Sequence, residues 1–301
     1  MSNETTSEPE DVRHAAKAVE LMSRDPVCAR MNDALMLLQE GIMLIPKCEW
    51  PDVFPNTFGA LACIARAYRQ LRGAFMLAVW GYCAEARAIL RSAYESAALA
   101  RTLAKDSAFA EKWVRKQHWF PDREVRAWFA ASGPNDAASA DEVLKDYAKA
   151  YKHGSTMSHP TAISCISALN IDEDGVSARL ETVFSEDDFL ACAAEIAATT
   201  LFACFTLRNA AISEKAIDPQ WRKRLYELAR KITNTDMPHL ERDWAEEQRS
   251  YEELRRKVRS ANDLAEHLRK HLASWDNLRS QPDEAQPTAS TQDDQSISSP
   301  T

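Results

Sequence analysis

The sequence predicts an all-α protein, a multi-helix bundle extended by a C-terminal coiled-coil helix. Three observations lead there. The chain has 301 residues, 45% hydrophobic and 27% charged, with only 7 Gly and 13 Pro, which excludes a collagen, a disulfide knot and a wholly disordered chain. Apolar residues recur at helical spacing through most of it. From Trp244 a heptad takes over, with Trp244, Tyr251, Val258, Ala265 and Leu272 at a and Glu247, Leu254, Ala261, Leu268 and Trp275 at d. Glu247 is the single polar residue in that seam, so the stripe must bury against a partner helix, either of this chain or of a second copy.

The elements follow in order. Residues 1–12 hold four acids and no base and are expected to be disordered. Helices are expected at 12–24 and 27–45, with Pro26 suited to a first turn. Pro46, Pro51 and Pro55 enforce a loop, and the region 57–105 reads as two helices with a break near Arg72-Gly73. In its second half Ala86, Ile89, Leu90, Ala93, Ala97, Ala100 and Ala104 form one apolar face. The opposite face combines Ala84, Ala88 and Ala98 with Arg87, Arg91 and Glu95.

Residues 107–130 read as two short helices around Phe120-Pro121, and 132–136 as a loop. Ser139 and Glu142 have capping-box spacing. A helix from there should pass Tyr147 and Tyr151 and stop near His159, because Pro160 disfavours helical geometry in its predecessor. Between 163 and 183 the pattern weakens, and Asp174-Gly175 allows a small hairpin. Ser185 then opens a core helix at 186–215. The bundle is thus expected over 13–235 and the coiled coil over 239–279, with 281–301 too polar to order.

Charge narrows the function. The formal net charge of -8 comes from the two ends, which carry four acids each, so the folded part is neutral overall. Neutrality argues against coating nucleic acid or membranes by bulk charge, while leaving room for a local basic face. The seven Cys form no CxxC pair and several sit in apolar runs; they read as reduced core residues of a cytoplasmic protein. Neither a signal peptide nor a membrane span is expected, since the apolar stretch from Phe189 to Ile212 is interrupted by Glu195 and Arg208. His267 and His271 lie off the heptad seam and no Cys or acid cluster completes a site around them, so no metal and no cofactor is expected. Nor is there a Walker loop, a GxGxxG or a nucleophile elbow.

Two constellations carry chemistry. Arg91 and Glu95 share a helix face hemmed in by alanines, so packing there desolvates both charges together. They are either a structural ion pair or part of a site. Arg before Glu is the weaker helical order, which makes local stability a poor reason for the pair. Tyr151, Ser155 and His159 stand at i, i+4 and i+8, bringing a phenol, a hydroxyl and an imidazole to one face. At a helix C-terminus His159 either caps the last carbonyls or serves as an acid/base group favoured in its protonated form. A third stretch, Lys112-Trp-Val-Arg115-Lys116, interleaves bases and aromatics, as do surfaces that track a phosphate chain and amphipathic helices alike. The run 222–231, net +4, reads as a solvated basic helix.

The run 86–95, then Asp106-Ser-Ala-Phe-Ala-Glu-Lys-Trp113, then Tyr151-x3-Ser155-x3-His159-Pro160, resembles a widespread family of uncharacterised bacterial helical proteins with an Arg-x3-Glu helix and a Tyr-x3-Ser-x3-His segment. The resemblance spans about residues 60–210. More distantly it is similar to HEPN-type bundles, whose ribonuclease members carry Arg, four to six residues, then His, and act on RNA as metal-independent dimers, often in toxin or phage-defence roles. Here Lys152 occupies the Arg position, and lysine lacks the planar fork that clamps a phosphate in two places. The resemblance therefore implies a site of Arg91, Glu95, Tyr151, Ser155 and His159, with Arg91 substituting spatially, and RNA contacts from Lys112, Arg115, Lys116 and Lys152. The alternative is a non-catalytic helical scaffold or ligand-binding module that self-associates through the coiled coil.

Overall fold

The computed structural model describes residues 10–44, 56–115, 121, 123–125, 127–128, 169–172, 175–178, 184–210 and 217–257. Their helices include α1 Glu10–Arg24, α2 Pro26–Leu44, α3 Asn56–Val79, α4 Cys83–Lys105, α5 Ser107–Arg115, α6 Glu186–Ala210, α7 Pro219–Thr233 and α8 Trp244–Lys257, with a 3-10 turn at Pro238–Glu241 and further helical backbone at 123–125 and 127–128. Strands β1 Leu169–Asp172 and β2 Gly175–Ala178 pair antiparallel, Leu169 opposite Ala178 and Asp172 opposite Gly175. The helix expected from Ser139 to His159, the heptad from Val258 onward and the tail 281–301 lie outside the described residues.

Helix α6 is the axis of the bundle. It packs on α2, α3 and α4 and buries Phe189, Ile196, Leu201, Phe202 and Phe205. By length and composition alone it is the one described helix apolar enough to cross a membrane, but most of it is enclosed by the bundle. Its start follows from the sequence: the Ser185 hydroxyl accepts from the Asp188 amide at 3.3 Å, and Glu186, Asp187 and Asp188 fill the positive first turn. Three other starts are built the same way. Asp25 Oδ1 accepts from the Val27 amide at 2.7 Å before Pro26, Asp218 from Gln220 at 3.0 Å before Pro219, and Asp243 from both Ala245 and Glu246 at 3.0 Å.

Two expected boundaries move. Residues 10–12 belong to α1 rather than to a disordered lead; acids at a helix start are favoured by its dipole, and Glu10 pairs with Arg13 at 4.0 Å. The break expected near Arg72-Gly73 falls instead at 80–82. Gly73 continues the helix, with nothing within 4 Å of where a Cβ would sit. Gly81 adopts φ 87, a left-handed conformation that glycine takes without a Cβ penalty. Either glycine can end a helix; only Gly81 takes the geometry that reverses the chain so that α4 lies along α3.

Close approach elsewhere depends on the lack of a side chain. A Cβ on Gly41 of α2 would lie 2.6 Å from Leu207 Cδ2 and 2.6 Å from Trp221 Cζ2, so α2 meets α6 and α7 through bare backbone. Alanine is better than glycine in a helix by about 0.5–1 kcal/mol, but forcing a methyl into a packed core costs about 1–3 kcal/mol. Gly41→Ala should therefore lower stability by about 1–2 kcal/mol in urea unfolding. A variant as stable as the parent would contradict this packing.

At the far end, α8 covers α7. Trp244 and Tyr251, the first two a residues of the heptad, are buried, and the Trp244 ring lies 6.1 Å from that of Tyr226 on α7. The opening of the seam is thus buried within this chain. Glu247, its polar member, pairs with Arg222 of α7. Arg222 is 2% exposed, which corrects the solvated reading of that position, and its guanidinium sits 5.8 Å from the Trp244 ring centroid.

Candidate functional site

Three charged residues of α4 recur every four positions, Arg87, Arg91 and Glu95. The apolar side of the same helix, Ala86, Leu90, Ala93, Ala97 and Ala100, is buried as the sequence indicates. Arg87 bridges to α6, with Nη1 2.7 Å from Asp188 Oδ1 and Nε 3.0 Å from Glu195 Oε1. Burial alone would lower its proton affinity, but Glu195 and Asp188 outweigh this and hold the guanidinium above its ordinary pKa. Arg87 therefore remains a cation at every accessible pH.

One turn on, Arg91 Nε donates to Glu95 Oε1 at 2.8 Å, the side chains being 17% and 23% exposed. A guanidinium engaged through Nε is held in orientation, and this exposure leaves the pair bordering solvent rather than sealed. Beside it, Gln70 of α3 donates from Nε2 to Ser92 Oγ at 2.6 Å and has Ser96 Oγ 3.0 Å from its Oε1. Behind it the Tyr94 ring stacks on Phe202 at 4.4 Å. The described charges, Arg87 and Arg91 with Glu95, Asp188 and Glu195, sum to -1 at neutral pH. Such a group can orient a phosphate or a polar ligand, but it does not attract polyanions by charge alone.

Of the expected site, Arg91 and Glu95 are thus brought together, while Tyr151, Ser155 and His159 lie outside the described residues, as do Lys116 and Lys152. Lys112 and Arg115 are exposed on α5, where Arg115 pairs with Glu111. Trp113 of that helix packs near Gly59, whose neighbour Leu103 is eight residues beyond Glu95, about 12 Å along α4. These two cations therefore belong to the far end of the helix from the Arg91 pair. The sequence reading did not include Arg87, Asp188, Glu195 or Gln70 in the site. The four-residue spacing of Arg87 before Arg91, and an acid in the middle of an apolar helix, were the signals available.

A second polar group lies at the α6–α7–α8 corner. Arg208, 1% exposed, donates to the Tyr226 hydroxyl at 2.5 Å and lies 5.1 Å from the Phe205 ring centroid. His239 meets the Tyr226 ring edge-on at 4.7 Å. Aromatic rings and a hydroxyl take up this cation, so the corner reads as architecture.

Comparison with protein-family models, with curated proteins and with solved structures finds no match. The chemistry of the site accordingly rests on its own residues.

Proposed function

We propose that this protein acts on RNA through a HEPN-like site, with the Arg91–Glu95 pair as one wall and Tyr151, Ser155 and His159 as the other. The observation that carries the reading is the oriented, partly open Arg91 held by Glu95 on an alanine-rich helix face. A desolvated ion pair adds little net stability, and its residue order is the poorer one for a helix, so structure alone gives little reason for it. In this reading His159 is the general acid/base, and Arg91 stabilises the charge that builds on the phosphate at the transition state. Glu95 positions Arg91. Lys112, Arg115, Lys116 and Lys152 steer the backbone of the RNA, and the heptad beyond Val258 pairs two copies in the cytoplasm.

A second reading, a non-catalytic scaffold or ligand-binding module, draws on a different observation. Arg87 is shared between Asp188 and Glu195, and a charge-saturated bridge of that kind fixes the register of α4 on α6. The deciding experiment incubates the purified full chain with single-stranded RNA in the presence of EDTA. Cleavage that disappears in His159→Ala supports the RNA-acting site. RNA left intact by the parent protein, or cut equally by the variant, removes it and leaves the scaffold.

A further inference from the structure

The polar ladder between α4 and α6 ends in sulfur. Cys83, the first residue of α4, shares a side-chain hydrogen bond with Cys192 of α6, and both are buried and reduced. Cys83 stands one turn before Arg87, while Cys192 lies between the two carboxylates that hold Arg87, four residues after Asp188 and three before Glu195. The thiols therefore continue the Arg87 bridge. We propose that Cys83 and Cys192 are an oxidation site at which a peroxide closes a disulfide between the start of α4 and the middle of α6, locking the seam that carries the Arg87 bridge.

Access comes from Cys83. The residue before it, Tyr82, provides no side-chain cap for α4, and it follows the left-handed Gly81. A first turn without its cap frays at low cost, so Cys83 reaches solvent by local opening while Cys192 stays within the bundle. In the open form the Cys83 thiolate attacks the O–O bond of the peroxide, giving a sulfenic acid and hydroxide. Reclosing returns the sulfur to Cys192, whose sulfur attacks the sulfenic sulfur and expels the oxygen as water. Overall two thiols and one hydrogen peroxide give one disulfide and two waters, the sulfurs being oxidised and the peroxide reduced.

The other described cysteines are poorer candidates. Burial pushes the Cys63 thiol up to about 12, burial together with Asp25 pushes Cys28 up to about 11, and burial raises Cys204 as well, leaving almost no thiolate for the first attack. Cys192 is itself raised, by its bond to Cys83 and by burial, which assigns it the resolving role in contact rather than the first attack.

The test uses the full chain, reduced, freed of reductant, exposed to hydrogen peroxide under native conditions, alkylated and digested with trypsin without reduction. Two of the seven thiols should be lost, and the peptide 73–87 should be joined to the peptide 180–208. Because the latter also contains Cys204, fragment sequencing must place the bond on Cys192. Cys83→Ser should keep all of its remaining thiols, whereas Cys192→Ser should form no disulfide and lose only the Cys83 thiol, as a sulfenic acid that dimedone traps. A disulfide joining other cysteines while Cys83 and Cys192 remain alkylated would overturn the proposal, as would full retention of thiols. Mapping on the unsubstituted chain decides the matter even if a serine variant fails to fold.

Discussion

Trp221→Ala should lower the unfolding free energy by about 3–5 kcal/mol, the range for emptying a fully buried aromatic site. Trp221 is 0% exposed and lies over Gly41, with its Nε1 donating to the Leu37 carbonyl at 2.8 Å. Leu37 stands four residues before Gly41 in α2, so its carbonyl also receives the ordinary helical bond from the Gly41 amide. Removing the indole thus leaves that oxygen satisfied, and the cost is the cavity and the lost packing among α2, α6 and α7. Trp221→Phe refills most of the space and should lose only about 1–2 kcal/mol. Urea unfolding followed by circular dichroism measures both. Loss below about 1 kcal/mol for the alanine variant would mean that this three-helix junction is not the anchor described above.

The second large effect falls on activity. In the proposed RNA-acting reading, His159→Ala lowers cleavage by about 10²–10⁴-fold, the usual contribution of a general acid/base. Arg91→Ala lowers it by about 10²–10³-fold, the cost of removing one preorganised charge donor. Arg91→Lys does not restore the rate, because an ammonium cannot be held through an Nε and present a planar edge at once. Stability should separate from activity once both charges go together: the half-buried Arg91–Glu95 pair is worth within about 1 kcal/mol, so the Arg91→Ala/Glu95→Ala protein, which leaves no unpaired charge behind, unfolds close to the parent while cleavage is lost. A large drop in stability with unchanged cleavage would instead assign the pair to the scaffold.

Much of the architecture could be read directly from the chain, for local reasons. Ser185 and the acids behind it announce the start of α6, prolines 26 and 219 sit at helix starts, and the alanine face of α4 is core. What the sequence could not show is tertiary pairing. Nothing in the spacing of Asp188 and Glu195 says that they converge on Arg87, and nothing around Arg222 says that it is buried beneath Trp244 and paired with Glu247. The heptad illustrates the same limit. Its periodicity correctly marks Trp244 and Tyr251 as residues to be buried, yet periodicity carries no information about the partner, and at this end the partner is α7 of the same chain. The break between α3 and α4 shows how two glycines with equal local licence, Gly73 and Gly81, are distinguished only by the turn that the packing needs.

The central functional claim is spatial: Arg91 and His159 border one hollow. The most direct test replaces His159 with the photo-crosslinking residue p-benzoylphenylalanine in the full chain, irradiates the folded protein and sequences the cross-linked tryptic peptides. The ring reaches only its immediate neighbours, so the expected product joins position 159 to the α4 peptides 88–91 or 92–101. Cross-links confined to other helices would separate the imidazole from the guanidinium and leave the polar seam of α4 as scaffold.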